Sequence, residues 1–163
     1  MKQRQANARS CFVCGVENHA GLQMVFYQTG PDEVSADYSV PVQFQGYPGL
    51  THGGIVAAML DEVASRVFMS GDPPRLMVTA KMNIRYRKPV PVGVKLHLVG
   101  KAQSDNGRVG KALGQVFDPA GNLLAEADLT VVEVKSDFFG AVPPEEAEGW
   151  RVYPEEGPQE ENE

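Results

Sequence analysis

GGIVAAMLDEVASRVFM, residues 53–69, decides the fold. The stretch is built of good helix formers with no internal proline, and Ser70-Gly71-Asp72-Pro73-Pro74 behind it is a strong stop signal. The spacing predicts a helix of about 17 residues, roughly 25 Å long at about 1.5 Å of rise per residue. Val56, Met59, Leu60, Val63 and Val67 fall on one stripe, which should face a sheet. Roughly opposite lie Gly54, Ala57, Ala58, Asp61 and Ser65, of which four are small and Asp61 is the only charge. Small residues let another backbone element approach, so this face is expected to border a crevice. Glu62 and Arg66 form an i,i+4 pair of favourable orientation on a separate edge, with no further role expected.

On either side of the helix the chain reads as strand. Residues 22–29 and 33–40 are expected to pair as a hairpin around a Gly-Pro-Asp turn, the second alternating Val34, Ala36, Tyr38 and Val40 with polar partners. Residues 41–51, with two prolines and two glycines, form a loop. After the helix come strands at 76–88, 94–104, 108–117 and 122–134, with Asn106-Gly107 marking a hairpin turn. The order β-β-α-β-β-β-β is an α+β pattern. An antiparallel sheet must cover its apolar face, and one long helix is there to cover it. The expected architecture is a hotdog, a curved sheet of about six strands wrapped around one central helix.

The 163 residues suffice for one domain with a single core. No apolar run approaches the roughly 20 residues of a membrane span. The basic, polar start MKQRQANARS has no apolar segment after it, so neither a secretory signal nor a membrane association is expected, and a cytoplasmic home is the default. The net charge of −6 is unevenly spread: residues 136–163 hold nine acids and one base, whereas the remaining body is slightly basic. That excess is too small for a nucleic-acid footprint. The expected organisation is a loose N-terminus over 1–10, a domain over 11–135, and an acidic, largely disordered tail over 136–163.

Two features of the helix bear on chemistry. Asp61 has no partner on its own helix, and in a crevice a carboxylate acts as general base or nucleophile. Thr51-His52-Gly53-Gly54 leads directly into the helix, whose first N–H groups lack partners and carry partial positive charge. A carbonyl oxygen could accept from Gly53 or Gly54 there. Arg85, Arg87 and Lys88 cluster at a strand end, with Lys81 earlier, and suit an anionic group such as a phosphate. Cys11 and Cys14 form a single CxxC with His19 nearby. A structural zinc needs four ligands, so no metal is expected, and the pair is read as small, partly buried groups capping the barrel end.

FQGYPGLTHGGIVAAMLDEVAS (44–65), followed by VTAKMNIRYRKPVPVG (78–93), resembles the hotdog-fold acyl-CoA thioesterases, including the phenylacetate-pathway type and the thioesterase superfamily member 4 and 5 type. The family pattern is His-Gly-Gly, an Asp or Glu nine residues after that His, then a strand ending in Tyr-x-x-Pro. His52, Asp61, Tyr86 and Pro89 match it, and CFVCGVENHAGL (11–22) is similar to the start of bacterial members. The resemblance implies an acyl-CoA thioester hydrolase for aryl or medium-chain acyl groups. Asp61 would be general base or nucleophile, and the Gly53 N–H would polarise the thioester carbonyl. His52 would position the carbonyl or water, and Thr79 would help hold the attacking water. Gly54, Ser65, Arg85, Arg87 and Lys88 would contact the substrate or its CoA part. It implies no cofactor beyond the coenzyme A of the substrate, and a homodimer or dimer of dimers with Asp61 facing the partner's helix start. In one respect the chain departs from the phenylacetate type: Gly46 stands where that type has Asn or Gln, with Gln43 and Gln45 out of register. The alternative is a hotdog protein that binds an acyl or aromatic ligand without turnover. A hydratase-type lyase ranks last, because its acid–histidine spacing is not this one.

Overall fold

The structure is a computed structural model that describes residues 2–71 and 74–155. Seven strands form one antiparallel sheet: β1 (Gln3–Arg4), β2 (Tyr27–Gly30), β3 (Glu33–Ser39), β4 (Met77–Tyr86), β5 (Lys95–Asp105), β6 (Val109–Phe117) and β7 (Leu123–Glu133). Their order across the sheet is β1-β2-β3-β5-β6-β7-β4. Helix α1 (Gly53–Ser65) lies against it, continued by a 3₁₀ turn over Arg66–Phe68, and a short helix α2 (Pro144–Gly149) follows the last strand. The curved sheet around one main helix is the expected architecture, with the two-residue β1 added at one edge. Asp72 and Pro73 of the expected helix stop lie outside the described residues. Among the described residues no helix is long and apolar enough to cross a membrane.

The stripe predicted to face the sheet does so: Val56, Met59, Leu60, Val63 and Val67 are all buried. Burying each such side chain contributes about 1.5–3 kcal/mol. They meet the inward alternation of β5 (Leu96, Leu98), β6 (Ala112, Val116) and β7 (Ala125, Ala127, Leu129, Val131). Two glycines set how closely helix and sheet approach. Gly100 on β5 and Gly114 on β6 are cross-strand partners. A Cβ on Gly100 would overlap the carbonyl of Val63, and one on Gly114 would come within 2.8 Å of the Leu60 carbonyl oxygen. The helix backbone thus rests directly on a side-chain-free seam.

The two ends of the chain depart from expectation, and for one reason. The N-terminal arm is laid down as β1, followed by a segment in which Asn7 is buried and donates to the carbonyls of Cys14 (2.7 Å) and Met24 (2.8 Å). The Asn7 amide and carbonyl also pair with Arg151, which draws the C-terminal stretch onto the arm. Residues 136–155, expected as part of a solvated tail, instead carry a 3₁₀ turn, α2 and a Trp150 packed against the core. Apolar Trp150 and the donors and acceptors of the arm offset the repulsion among the acids there. The rest of the expected tail, 156–163, lies outside the described residues.

Residues 22–26 are not strand. Leu22 and Met24 give their N–H groups to the carbonyls of Phe12 and Val13, so this segment pairs with the cysteine loop before joining the sheet at Tyr27. The Glu62–Arg66 pair forms as the helical spacing predicts, and it is mostly buried. The Arg66 side chain is 1% exposed, donates from Nε to Glu62 at 2.9 Å and from Nη1 to the Ala6 carbonyl at 2.9 Å, and stacks on Phe26. The folded arm covers it, which helical spacing alone could not reveal.

Candidate active site

Helix α1 brings one acid to its small-residue face. Asp61 is half-buried, and its Oδ1 accepts a hydrogen bond from the Thr79 hydroxyl at 2.7 Å. Thr79 sits on edge strand β4 at a bulge: Thr79 pairs with Val131 and Lys81 with Thr130, leaving Ala80 as the extra residue. A bulge re-aims side chains, and here the Thr79 hydroxyl reaches the helix. The structure therefore brings together two predicted site residues that lie 18 positions apart in sequence.

The helix start is a separate cluster. His52 is the N-cap, and its Nδ1 accepts from the Gly54 N–H at 3.0 Å. The Gly54 donor is thereby committed within the chain. The Gly53 N–H has no partner among the described residues. The Gly53 carbonyl accepts from the Tyr86 hydroxyl at 2.7 Å, which ties the helix start to the end of β4. A cavity of about 660 Å³ opens here, lined by His52, Gly53, Tyr86, Arg87 and Lys88 among others. Arg87 is held by Glu126, whereas Lys88 makes no ion pair among the described residues. Arg85 is exposed on β4 and does not line the cavity. The Ser65 hydroxyl donates back to the Glu62 carbonyl at 3.2 Å, one turn beyond Asp61. Gln45 accepts from the Gly49 N–H within the loop, and Gly46 packs against His52.

Distance divides these groups. Asp61 lies eight residues after Gly53, about 12 Å along the helix axis. One chain therefore cannot place its own carboxylate and its own free N–H on the same small group. The role of Tyr86 was visible in sequence only as the Tyr of Tyr-x-x-Pro. The glycine seam under the helix was not singled out at all, because its signal is a cross-strand register that appears only once β5 and β6 are paired.

Residues 48–125 match the thioesterase superfamily. Acyl-coenzyme A thioesterase THEM4 of Xenopus laevis is 31% identical over 98 residues, covering 58% of this chain and 37% of that protein. The chain spans under two fifths of the length of the curated relatives it matches. Among solved structures, the thioesterase superfamily protein RHA08564 superposes with a TM-score of 0.69 at 27% identity, covering 76% of this chain and 60% of that one. The Streptococcus mutans protein smu.793, solved bound to acetyl-CoA, gives 0.62 at 21% identity, covering 68% of this chain and 88% of that one. Fold, matched region and relatives agree in their direction: the part of the chain that holds the helix and strands β4 to β6 is similar to the thioesterase superfamily.

Proposed function

We propose that the chain hydrolyses acyl-CoA thioesters at a site completed by a second copy of itself, with Asp61 of one copy facing the Gly53 N–H of the other. The observation that carries this reading is the pairing of a half-buried, Thr79-bonded carboxylate with an unpartnered N–H some 12 Å away on the same helix. Antiparallel apposition of two helices brings each carboxylate to the other's helix start. Among the described residues edge strand β4 pairs only with β7 and leaves its other side open, which suits edge-to-edge joining of two sheets.

The chemistry follows from the groups. Asp61 takes a proton from a water that Thr79 helps to hold. The resulting hydroxide attacks the thioester carbonyl carbon. The carbon–oxygen bond forms as the carbonyl becomes an oxyanion, received by the Gly53 N–H and the positive end of α1. A donor of this kind is worth about 3 kcal/mol of barrier, and a positioned general base about 10²–10⁴ in rate. Collapse breaks the carbon–sulfur bond and expels the CoA thiolate, which recovers a proton from Asp61. Lys88 at the cavity rim faces the anionic CoA. The match of residues 48–125 to the thioesterase superfamily and the acyl-coenzyme A thioesterase relatives support this substrate class.

Thiol release from a panel of acyl-CoAs tests the reading. The wild-type chain should turn over at least one aryl or medium-chain thioester, and Asp61→Asn should lose at least about 100-fold in kcat/KM. Undiminished hydrolysis in Asp61→Asn, or ligand binding without turnover across the panel, would overturn it.

A further inference from the structure

We propose that Cys11, Cys14 and Glu62 bind a thiophilic divalent ion of the zinc class, which fastens the N-terminal loop to helix α1. The cysteines come from the CxxC loop and the glutamate from the helix, so sequence spacing showed only half of the set. The two Sγ atoms and a Glu62 carboxylate oxygen all lie within 4.8 Å of one another. Ligand atoms around a tetrahedral zinc stand about 3.5–3.8 Å apart, given zinc–sulfur bonds of about 2.3 Å. Closing the cluster onto an ion thus takes a contraction of about 1 Å. No histidine joins it among the described residues, which removes His19 from consideration.

The surroundings are those of thiolate ligands. The Val13 N–H points at Cys11 Sγ and the Ala8 N–H at Cys14 Sγ, both at 3.4 Å. Such donors stabilise sulfur that carries negative charge. Arg66 Nε donates to Glu62 Oε1 at 2.9 Å, which leaves Oε2 to ligate and fixes the carboxylate's orientation. Ligating carboxylates are characteristically held this way from behind. Two thiolates, one carboxylate and one guanidinium carry a net charge of minus two, which a divalent ion cancels. That balance matters because Cys14 is fully buried and Glu62 only 17% exposed. Soft sulfur selects zinc-like ions over magnesium or calcium. Cys11 is the more exposed cysteine, so the fourth position opens on its side to water. Binding displaces the two thiol protons to solvent. The ion holds the loop to α1 at Glu62, the residue after Asp61 in the chain, and its role is structural.

The test uses the full chain, reduced and stripped of metal, with both thiols confirmed free by titration. Cobalt(II) chloride is added and absorption is followed. One equivalent should produce sulfur-to-cobalt charge-transfer bands and the visible bands of tetrahedral cobalt, and zinc chloride should bleach them. Zinc should also raise the thermal midpoint by several degrees, roughly the effect of a ligand at 100 times its Kd. Cys11→Ser and Cys14→Ser should abolish the bands, and Glu62→Gln, which keeps an acceptor for Arg66, should weaken cobalt binding about tenfold. Absence of tetrahedral bands and of any thermal shift in the reduced wild-type chain would overturn the proposal. So would bands that persist in Cys11→Ser, a near-isosteric change at a partly buried position.

Discussion

Gly100 and Gly114 face each other across β5 and β6, and both lie directly beneath the backbone of α1. Neither is needed for a positive φ, so their role is clearance alone. Gly100→Ala would drive a methyl group into the Val63 carbonyl, which is helix backbone and cannot rotate away. We expect a loss of about 1–3 kcal/mol or more from this overpacking. Gly107→Ala is the control: its φ of 89° strains a side chain, but nothing lies within 4 Å. That variant should lose only about 1–2 kcal/mol. Urea midpoints of the two variants, measured side by side, check the order.

Arg66 is the most deeply buried charge in the described chain, and its partner Glu62 is mostly buried. Removing only the guanidinium leaves a carboxylate without its counter-charge under the N-terminal arm. Arg66→Ala should cost about 3–5 kcal/mol. Replacing both partners, as Glu62→Gln with Arg66→Met, should cost less than the two single changes added together. A double-mutant cycle by denaturant unfolding in metal-free buffer measures this coupling.

The pH dependence of stability has a definable acid contribution at the β5–β6 turn. The Arg75 guanidinium, and then the Gly107 N–H, hold the Asp105 carboxyl below its ordinary value. A carboxyl with a depressed folded pKa contributes stability that is present above its unfolded pKa, about 3.9, and is lost as pH falls through the folded value. Asp105→Asn should therefore lower stability at pH 7 by under about 1 kcal/mol, since the pair is solvent-exposed. The gap to wild type should shrink towards zero near pH 2. Thermal midpoints of both chains across that range check the sign.

The architecture was legible because α1 repeats its apolar residues every three to four positions while β3 and β5 alternate every two. Each element announced which face it would bury, and Val56 through Val67 sit where that pattern put them. The candidate site was legible where its residues share one local stretch: His52, Gly53 and Asp61 all belong to a single turn and helix. Thr79 came only from resemblance, since a bulge one strand away aims it and no local pattern encodes a bulge. The arm and the C-terminal stretch were misread because their order comes from each other. Asn7 bonds Cys14, Met24 and Arg151, and each of those contacts spans a distance that composition cannot see. For Glu62 the helical spacing gave its partner Arg66 correctly, but not its nearness to the cysteines on the loop above.

The proposed sharing of one site between two copies is open to direct test by complementation. Gly53 is the first residue of α1, and His52 before it has φ −58° and ψ 136°, a conformation that a following proline accepts. Proline is favoured at this helical position and has no N–H, so Gly53→Pro deletes the donor while keeping the helix. Asp61→Asn and Gly53→Pro chains should each be inactive alone. Refolded together at equal amounts, they should recover about a quarter of the wild-type rate, because half the dimers are mixed and each mixed dimer holds one whole site of two. Mixed dimers demonstrated by differently tagged chains, yet no more active than the separate variants, would contradict a site built from Asp61 of one copy and Gly53 of the other.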